Sequence, residues 1–338
     1  MNRTGILRCG AAAVLFGISA PLASLLTDDM GAFTLAGLLY IGAAIAVIPV
    51  VGRTPPTRHA VRSSLPNLSL AVILGGAVGP VLLAAGLGVL PAATSSLLLN
   101  LELVFTVIVA GVVFHEHLGR NIITGTALVV VGSIVLTWSG NPELRWGALL
   151  IVGACLCWAI DNSTTAAIDQ ISPSHITLAK GVIAGGTNLI IGLSLTCIPS
   201  SGAILAALVV GGFGYGASIT LWVAGARNLG AARGQLIFAT APFIGALVAW
   251  NVLGDEITAR QLVAFLIAAG GVVFVLGSDH EHDHEHSPSR HTHDHVHDDH
   301  HAHHPEAMPS ERHTHHHQHA SVVHRHPHLP DLHHRHEH

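Results

Sequence analysis

Long apolar runs follow one another through most of this chain and are separated by short polar connections. A helix needs roughly 20 apolar residues to cross a bilayer core about 30 Å thick. Only 10% of the 338 residues are Asp, Glu, Lys or Arg, too few for the charged surface of a soluble domain. The sequence therefore predicts an all-α membrane protein. Ten candidate transmembrane helices lie near residues 7–26, 31–51, 66–88, 92–114, 121–139, 146–166, 175–198, 202–223, 230–252 and 258–277.

Lys and Arg are distributed unevenly over the ends of these runs. With the N-terminus in the cytoplasm, nine of the eleven basic residues before residue 279 lie on the cytoplasmic side, and only Arg145 and Arg260 lie opposite. Basic connections favour the cytoplasm, so we expect an inner-membrane protein with both termini cytoplasmic. The first run has a second interpretation, a secretory signal, because Arg3 and Arg8 precede its apolar stretch.

The two halves of the apolar region repeat each other at an offset of about 140 residues. Phe16 aligns with Trp158 at an offset of 142, and the later alignments use 140. Two units with five spans each must face opposite directions across a membrane, as the inverted repeats of many transporters do. The sequence thus predicts two inverted five-helix repeats, 5–139 and 146–277.

A charged pair recurs at the same place in both halves. Glu116 and Arg120 in the first half correspond to Glu256 and Arg260 in the second. In each copy the Glu precedes the Arg by four residues, which is a favourable helical spacing for an ion pair. We expect these two pairs to be structural features of the repeats.

Two motif-like stretches identify a family. The fourth run reads Leu101-Glu102-Leu103-Val104-Phe105 and leads to His115-Glu116; the ninth reads Ala241-Pro242-Phe243-Ile244 and leads to Gly254-Asp255-Glu256. This pattern resembles the EamA type of the drug/metabolite transporter superfamily over residues 5–277. Leu103 and His115 replace the Pro and Gly that the family usually has. The resemblance implies export or exchange of small solutes across the cytoplasmic membrane, often driven by an ion gradient.

Two carboxylates lie inside the apolar runs. An acidic side chain at membrane depth costs about 3 kcal/mol on insertion scales. Glu102 lies about ten residues into the fourth run, roughly 15 Å deep, and either makes a structural hydrogen bond or contacts substrate. Asp161 lies about fifteen residues into the sixth run and is either a cytoplasmic helix end or an intramembrane functional group.

Polar neighbours surround Asp161 on its helix. Cys157 and Thr165 lie one turn away on the same face, and oxygen and sulfur atoms of this set could hold a proton or a divalent cation. Lys180, the only Lys, either extends to the membrane interface or neutralises a carboxylate such as Asp161. The predicted substrate pathway comprises Asp161, Asn162, Glu102, Cys157, Thr165 and Lys180.

The last sixty residues, 279–338, have a different composition. They hold 24 of the 28 His and 11 of the 20 acidic residues. With few apolar residues the segment cannot build a core, so we expect a disordered tail. Neutral imidazole binds nickel, cobalt and zinc, and a pH-responsive tail is the alternative. The predicted metal ligands are His280, His282, His284, His286, His291, His293, His295, His297, His300, His301, His303 and His304.

Together these features predict a secondary transporter that exports divalent transition-metal cations, nickel or cobalt before zinc, in exchange for protons. Metal-resistance proteins that resemble this family carry similar His-rich ends. The alternative is an exporter of small organic metabolites or drugs, with the tail as a metal buffer or sensor. No cofactor is required, no catalytic motif indicates an enzyme, and no basic stripe indicates nucleic-acid binding. The expected partners are the lipid bilayer and a small solute or metal ion; the sequence leaves open a homodimer.

Overall fold

The computed structural model describes residues 3–52, 55–113, 120–137, 142–166, 168, 170–229, 234 and 237–276, and four tail segments. Within this part of the chain, seven helices are long and apolar enough to cross a membrane, and three shorter apolar helices bring the spans to ten. The predicted ten-helix membrane architecture is confirmed.

The ten spans follow the predicted order. They are α1 (Arg3–Ser24), α2 (Ala32–Val47), α3 (Arg58–Leu87), α4 (Ala92–Leu98 and Leu101–Val113), α5 (Arg120–Thr137), α6 (Pro142–Ala166), α7 (Pro173–Leu195), α8 (201–229), α9 (Ala241–Leu253) and α10 (Ala259–Leu276). Four of them contain a π-helical stretch, at Ala71–Val78, Lys180–Gly185, Gly212–Ala217 and Ala249–Leu253.

The third span begins earlier than predicted, at Arg58 instead of residue 66. Its start is fixed by Thr57, whose hydroxyl oxygen accepts a hydrogen bond from the Ala60 N–H at 3.2 Å. Such a cap satisfies one of the free N–H groups of a first helical turn. Counting apolar runs missed this extension because its first two turns are mostly polar.

The connection between α9 and α10 corrects one prediction. Gly254 ends α9 in the left-handed conformation with a φ of 77°, and α10 begins only at Ala259. Glu256 therefore lies in a loop, where the helical spacing to Arg260 does not apply. These two residues are both described, and they form no ion pair.

Caps on the following helix hold this loop in place. Thr258 and Gln261 exchange hydrogen bonds between backbone N–H groups and side chains, at 3.0 and 3.2 Å. The Asp255 carboxylate accepts a hydrogen bond from the Ala93 N–H at the start of α4, at 2.9 Å. In the first copy, Glu116 lies outside the described residues, so its pairing with Arg120 stays a prediction.

Small residues let the two repeats cross closely at α2 and α7. A Cβ at Gly181 would collide with backbone at Tyr40, and one at Gly37 would collide with Leu189. Close backbone approach over Gly is a common way to pack helices in a bilayer. Further packing between the halves joins α1 to α8 and α9, and α5 to α10. The core thus forms between the two repeats.

The surface of the helical body is apolar, as contact with lipid requires. Leu7 and Ile190 are each 73% exposed, while polar side chains such as Asn188 and Ser95 are buried. This arrangement is typical of helices that keep their polar groups towards the bundle interior. The buried polar groups therefore mark the places where function is expected.

The tail forms a unit of its own. In its described segments, β1 (Glu281–His286) pairs antiparallel with β4 (Val322–Pro327), and β2 (Ser289–His295) pairs with β3 (His313–His319). The strands consist mainly of His, acidic and other polar residues. An isolated two-stranded pair is at best marginally stable in water, so these pairs are consistent with a tail that lacks a stable core.

Candidate functional site

A buried ion pair joins α6 and α7. The Lys180 ammonium donates to both Asp161 carboxylate oxygens, at 2.6 and 2.7 Å. The Thr165 hydroxyl donates to the same carboxylate at 3.0 Å. Asp161 is 5% and Lys180 4% exposed, so Asp161 is an interior residue and Lys180 neutralises it. Pairing of this kind is what allows ionisable groups to persist at membrane depth.

The ion pair lies where two π-helical stretches meet. Lys180 begins the π-helical stretch of α7, and the Asp161 carboxylate packs against Gly75 in the stretch of α3. A Cβ at position 75 would overlap with this carboxylate. Short π-helical segments occur frequently at functional sites, and here the glycine leaves the space that the carboxylate fills.

Side chains from other helices donate hydrogen bonds to backbone carbonyl oxygens in the same π-helical stretch of α3. The Tyr40 hydroxyl and the Trp158 indole N–H both donate to the Gly75 carbonyl oxygen. The Asn188 amide donates to the Ala77 carbonyl oxygen at 3.1 Å. These contacts tie α2, α6 and α7 to α3 around the ion pair.

A second carboxylate lies next to the ion pair. The Asn162 amide donates to the Glu102 carboxylate at 2.7 Å, and Asn162 directly follows Asp161. Glu102 is 7% exposed. The structure thus brings together five of the six predicted pathway residues, since Thr165 and Lys180 contact Asp161, and Asn162 links it to Glu102.

The sixth predicted residue, Cys157, is buried one turn before Asp161 on α6. No group of three or more His, Cys, Asp and Glu side chains capable of holding a metal ion occurs in the described part of the chain. The twelve predicted His ligands of the tail lie outside the residues whose side chains are described. Metal binding by the tail therefore stays a prediction.

Aromatic rings from four helices, together with Phe238 just before the turn that precedes α9, pack together beside these polar groups. Phe16 on α1 contacts Trp158, Tyr215 and Phe238, with ring centroids 5.2–5.9 Å apart. Tyr40 on α2 contacts Tyr215 at 5.5 Å. The Tyr215 hydroxyl is buried with no hydrogen-bond partner among the described residues. The site thus combines opposite charges, hydrogen-bonding groups and aromatic surface.

The repeat explains how the site is built. Gly214 in α8 packs against Ser19 in α1, as Gly75 in α3 packs against Asp161 in α6. The offsets between the equivalent residues, 139 and 142, agree with the duplication. Two inverted repeats therefore make the same helix contact twice, and only the second half places a charged side chain there.

Comparison with known proteins agrees with this architecture. The family model of the EamA-like transporter family matches residues 3–138 and again 145–277. The chain belongs to the EamA-like transporter family. It is therefore a multi-pass membrane transporter and not an enzyme.

Two curated relatives are similar to this EamA-like transporter. One is an uncharacterized transporter of Methanothermobacter thermautotrophicus, 27% identical over 78% of this chain and 83% of that protein. The other is a probable amino-acid metabolite efflux pump of Salmonella typhimurium, 26% identical over 78% of this chain and 92% of that protein. A crystal structure with 18% identity superposes with a TM-score of 0.60, over 82% of this chain and 99% of that one.

Several residues that complete this transporter's site were not predicted from the sequence. Tyr40 corresponds to Lys180 at the offset of 140, so the repeat could have identified it. Gly75 and Trp158 also have repeat equivalents, Gly214 and Phe16, but the alignment gave no reason to place them at the site, because a glycine among many glycines and a tryptophan in an apolar run are both ordinary in a membrane helix.

Proposed function

We propose that this EamA-like transporter exports small organic solutes that carry both a positive and a negative group, such as amino acids and their metabolites. The observation that carries the proposal is the buried pair of Asp161 and Lys180. A zwitterion can take the place of this internal contact, because its carboxylate can bind Lys180 while its ammonium binds Asp161. When the solute replaces the internal contact, its own charges pair with Asp161 and Lys180. Neither side chain is therefore left as an unpaired charge in the bilayer.

The surroundings of the pair suit such a solute. Thr165 and Asn162 supply hydrogen-bonding groups, and the aromatic cluster around Phe16 supplies apolar surface for a side chain. Binding sites for small molecules commonly combine an apolar lining with a few well-placed polar groups. The relative described as a probable amino-acid metabolite efflux pump supports the same class of substrate.

We place the transporter in the cytoplasmic membrane with both termini inside. The excess of Lys and Arg at one set of helix ends supports this orientation. A C-terminal fusion to a reporter enzyme that is active only in the cytoplasm tests it. Activity is expected, and an inactive reporter would contradict the proposed orientation.

Efflux from proteoliposomes tests the substrate class. Vesicles carrying the full-length chain are loaded with radiolabelled amino acids, or with their methyl esters and N-acetyl derivatives, which each lack one charge. We expect rapid efflux of at least one zwitterion. A charge-assisted hydrogen bond contributes about 1.5–3 kcal/mol, so loss of either charge should weaken transport about 10- to 100-fold.

Variants of the site provide the matched comparison for this assay. Asp161→Asn combined with Lys180→Met leaves no charged group at either position and should lose the zwitterion efflux. Gly186→Ala serves as a control, because a Cβ there meets no atom within 4 Å. Equal efflux of the zwitterion and both derivatives would contradict the proposal.

Export of divalent transition metals is a second candidate, favoured by the His-rich tail. In the same vesicles, an internal metal-sensitive dye reports entry or exit of nickel, cobalt and zinc. Metal flux that survives deletion of the tail after Gly277, but not Asp161→Asn, would favour this candidate. Against it, both oxygens of the Asp161 carboxylate are engaged by Lys180, which a metal would have to displace.

The tail itself should bind metal whichever solute is exported. Equilibrium dialysis of the purified full-length chain is expected to retain several nickel, cobalt or zinc ions per chain, because its 24 imidazoles exceed the four to six ligands that one such ion takes. A chain truncated after Gly277 should retain almost none. Equal metal retention by the two chains would show that the tail does not bind these metals.

A further inference from the structure

The hydroxyl of Tyr215 is buried in the aromatic cluster beside the ion pair. Tyr215 lies in the π-helical stretch of α8, and its ring centroid is 5.7 Å from that of Phe16 and 5.5 Å from that of Tyr40. The residue is 1% exposed, and its hydroxyl has no hydrogen-bond partner among the described residues. A buried polar group without a partner is costly, so its presence calls for an explanation.

Packing alone does not require this hydroxyl. Phe16 and Phe238 belong to the same cluster and carry rings without a polar group. A phenylalanine at position 215 would keep the ring contacts and avoid the unpartnered oxygen. The Tyr40 hydroxyl differs, because it donates to the Gly75 carbonyl oxygen and so helps to hold α2 against α3. The Tyr215 hydroxyl therefore remains free to bind a ligand.

Two side chains connect Tyr215 to the ion pair. Tyr40, whose ring contacts Tyr215, and Trp158 both donate to the Gly75 carbonyl oxygen, and the Asp161 carboxylate packs against the same glycine. The rings come from α2 in the first repeat and from α6 and α8 in the second, and each lies towards the middle of its span. The region between inverted repeats near the midplane is where transporters commonly bind their substrates.

We propose that Tyr215 is a specificity-determining residue whose hydroxyl forms a hydrogen bond with the side chain of the exported solute. The proposal rests on the proposed function: with the solute's charged groups on Asp161 and Lys180, we expect its side chain to extend into the aromatic cluster. A tyrosine hydroxyl both donates and accepts. Solutes with a hydroxyl or an amide on the side chain are therefore favoured over apolar solutes of the same size. Because the Tyr215 hydroxyl has no partner in the empty site, it gives up none when this bond forms.

Paired efflux measurements test this specificity. Vesicles carrying the full-length chain are loaded with threonine and valine that bear different isotopes, so both rates come from the same vesicles. Threonine has a hydroxyl where valine has a methyl group; asparagine and leucine form a second pair. The wild type should export the polar member of each pair about 2- to 10-fold faster, as one neutral hydrogen bond implies. Tyr215→Phe should slow the polar members and so abolish the preference.

Tyr40→Phe is the matched control for Tyr215→Phe. It also removes one hydroxyl from the cluster, but a hydroxyl that is bonded to the backbone at Gly75, so both preferences should persist. Unfolding of the purified chains in mixed micelles adds a measurement that does not depend on transport. Tyr215→Phe should unfold at the same or a higher concentration of denaturing detergent than the wild type, because it removes a buried group without a partner.

The outcomes separate this proposal from the proposed function. Equal export of both members of each pair by the wild type, or unchanged preferences in Tyr215→Phe, would overturn the role of Tyr215 and leave zwitterion transport intact. Export of other amino acids but none of these four would do the same. A less stable Tyr215→Phe would also overturn it, since the hydroxyl would then support the fold. Efflux of no amino acid at all would reject the proposed function, and the role of Tyr215 with it.

Discussion

Replacement of Lys180 by Met is expected to destabilise the protein strongly, because Asp161 would remain as a buried charge without a counter-ion. Breaking a buried pair by removing one partner typically costs about 3–5 kcal/mol. Met has a similar length and no charge, so packing around α7 is largely kept. Equilibrium unfolding of the purified protein in mixed micelles by increasing denaturing detergent measures the loss.

The matched double variant distinguishes charge from packing. Replacing Asp161 by Asn in the Lys180→Met background removes the uncompensated charge, so most of the lost stability should return. Replacing a buried ion pair by uncharged residues is often neutral or stabilising. A Lys180→Met protein that unfolds at the wild-type detergent concentration would show that the pair does not form.

The double variant also separates a structural role from a role in transport. If the pair only held α6 and α7 together, a stable double variant would transport normally. We expect instead a folded protein without zwitterion efflux, because neither charge remains to bind the solute.

Replacement of Gly75 by Ala is the second change with a large expected effect. The added methyl group would overlap with the Asp161 carboxylate, which has no room to move while it binds Lys180 and Thr165. Overpacking of this kind costs about 1–3 kcal/mol. We expect lower stability and a severe loss of efflux, measured in micelles and in proteoliposomes.

Gly186→Ala is the control for this experiment. Gly186 is helical like Gly75, but a Cβ there meets nothing within 4 Å. Alanine is also favoured over glycine in helices by about 1 kcal/mol, so stability should be unchanged or higher. Equal effects of the two substitutions would mean that the space beside Asp161 is unimportant.

The fold could be predicted from the sequence because several independent features indicate it, and the apolar runs among them are long. Ten apolar runs each carry enough residues to identify a span, and the motif around Glu102 identifies the family. The repeat then fixes the inverted arrangement. None of these inferences depends on a single side chain, which is why small errors such as the start of α3 leave the architecture intact.

The site could be predicted only in part. A carboxylate deep in an apolar run requires compensation, so Asp161 and Glu102 were identifiable, and the single Lys was one candidate partner. The sequence could not choose between an interfacial and a paired Lys180, because that depends on how α6 and α7 pack. The predicted pair of Glu256 and Arg260 failed for a related reason: spacing implies contact only if both residues lie on one helix.

The break in α4 was hidden for a different reason. The family usually has Pro at the position of Leu103, and a proline is the residue that would have indicated an interruption. Here the turn at Leu99 and Asn100 forms without it. Backbone N–H groups across the turn bond to carbonyl oxygens three residues back, as Glu102 does to Leu99 at 3.1 Å, and the Asn100 side-chain amide adds a bond to the Leu97 carbonyl oxygen.

The most direct test of the central claim is solute binding at the pair of Asp161 and Lys180. In a calorimetric titration, the amino acid that leaves the vesicles fastest is added to the wild-type chain and, separately, to the double variant of Asp161→Asn and Lys180→Met, which has no charge at either position. The account predicts saturable binding to the wild-type chain, weakened at least about 10- to 100-fold in the folded double variant. Equal affinity for the two proteins would contradict it.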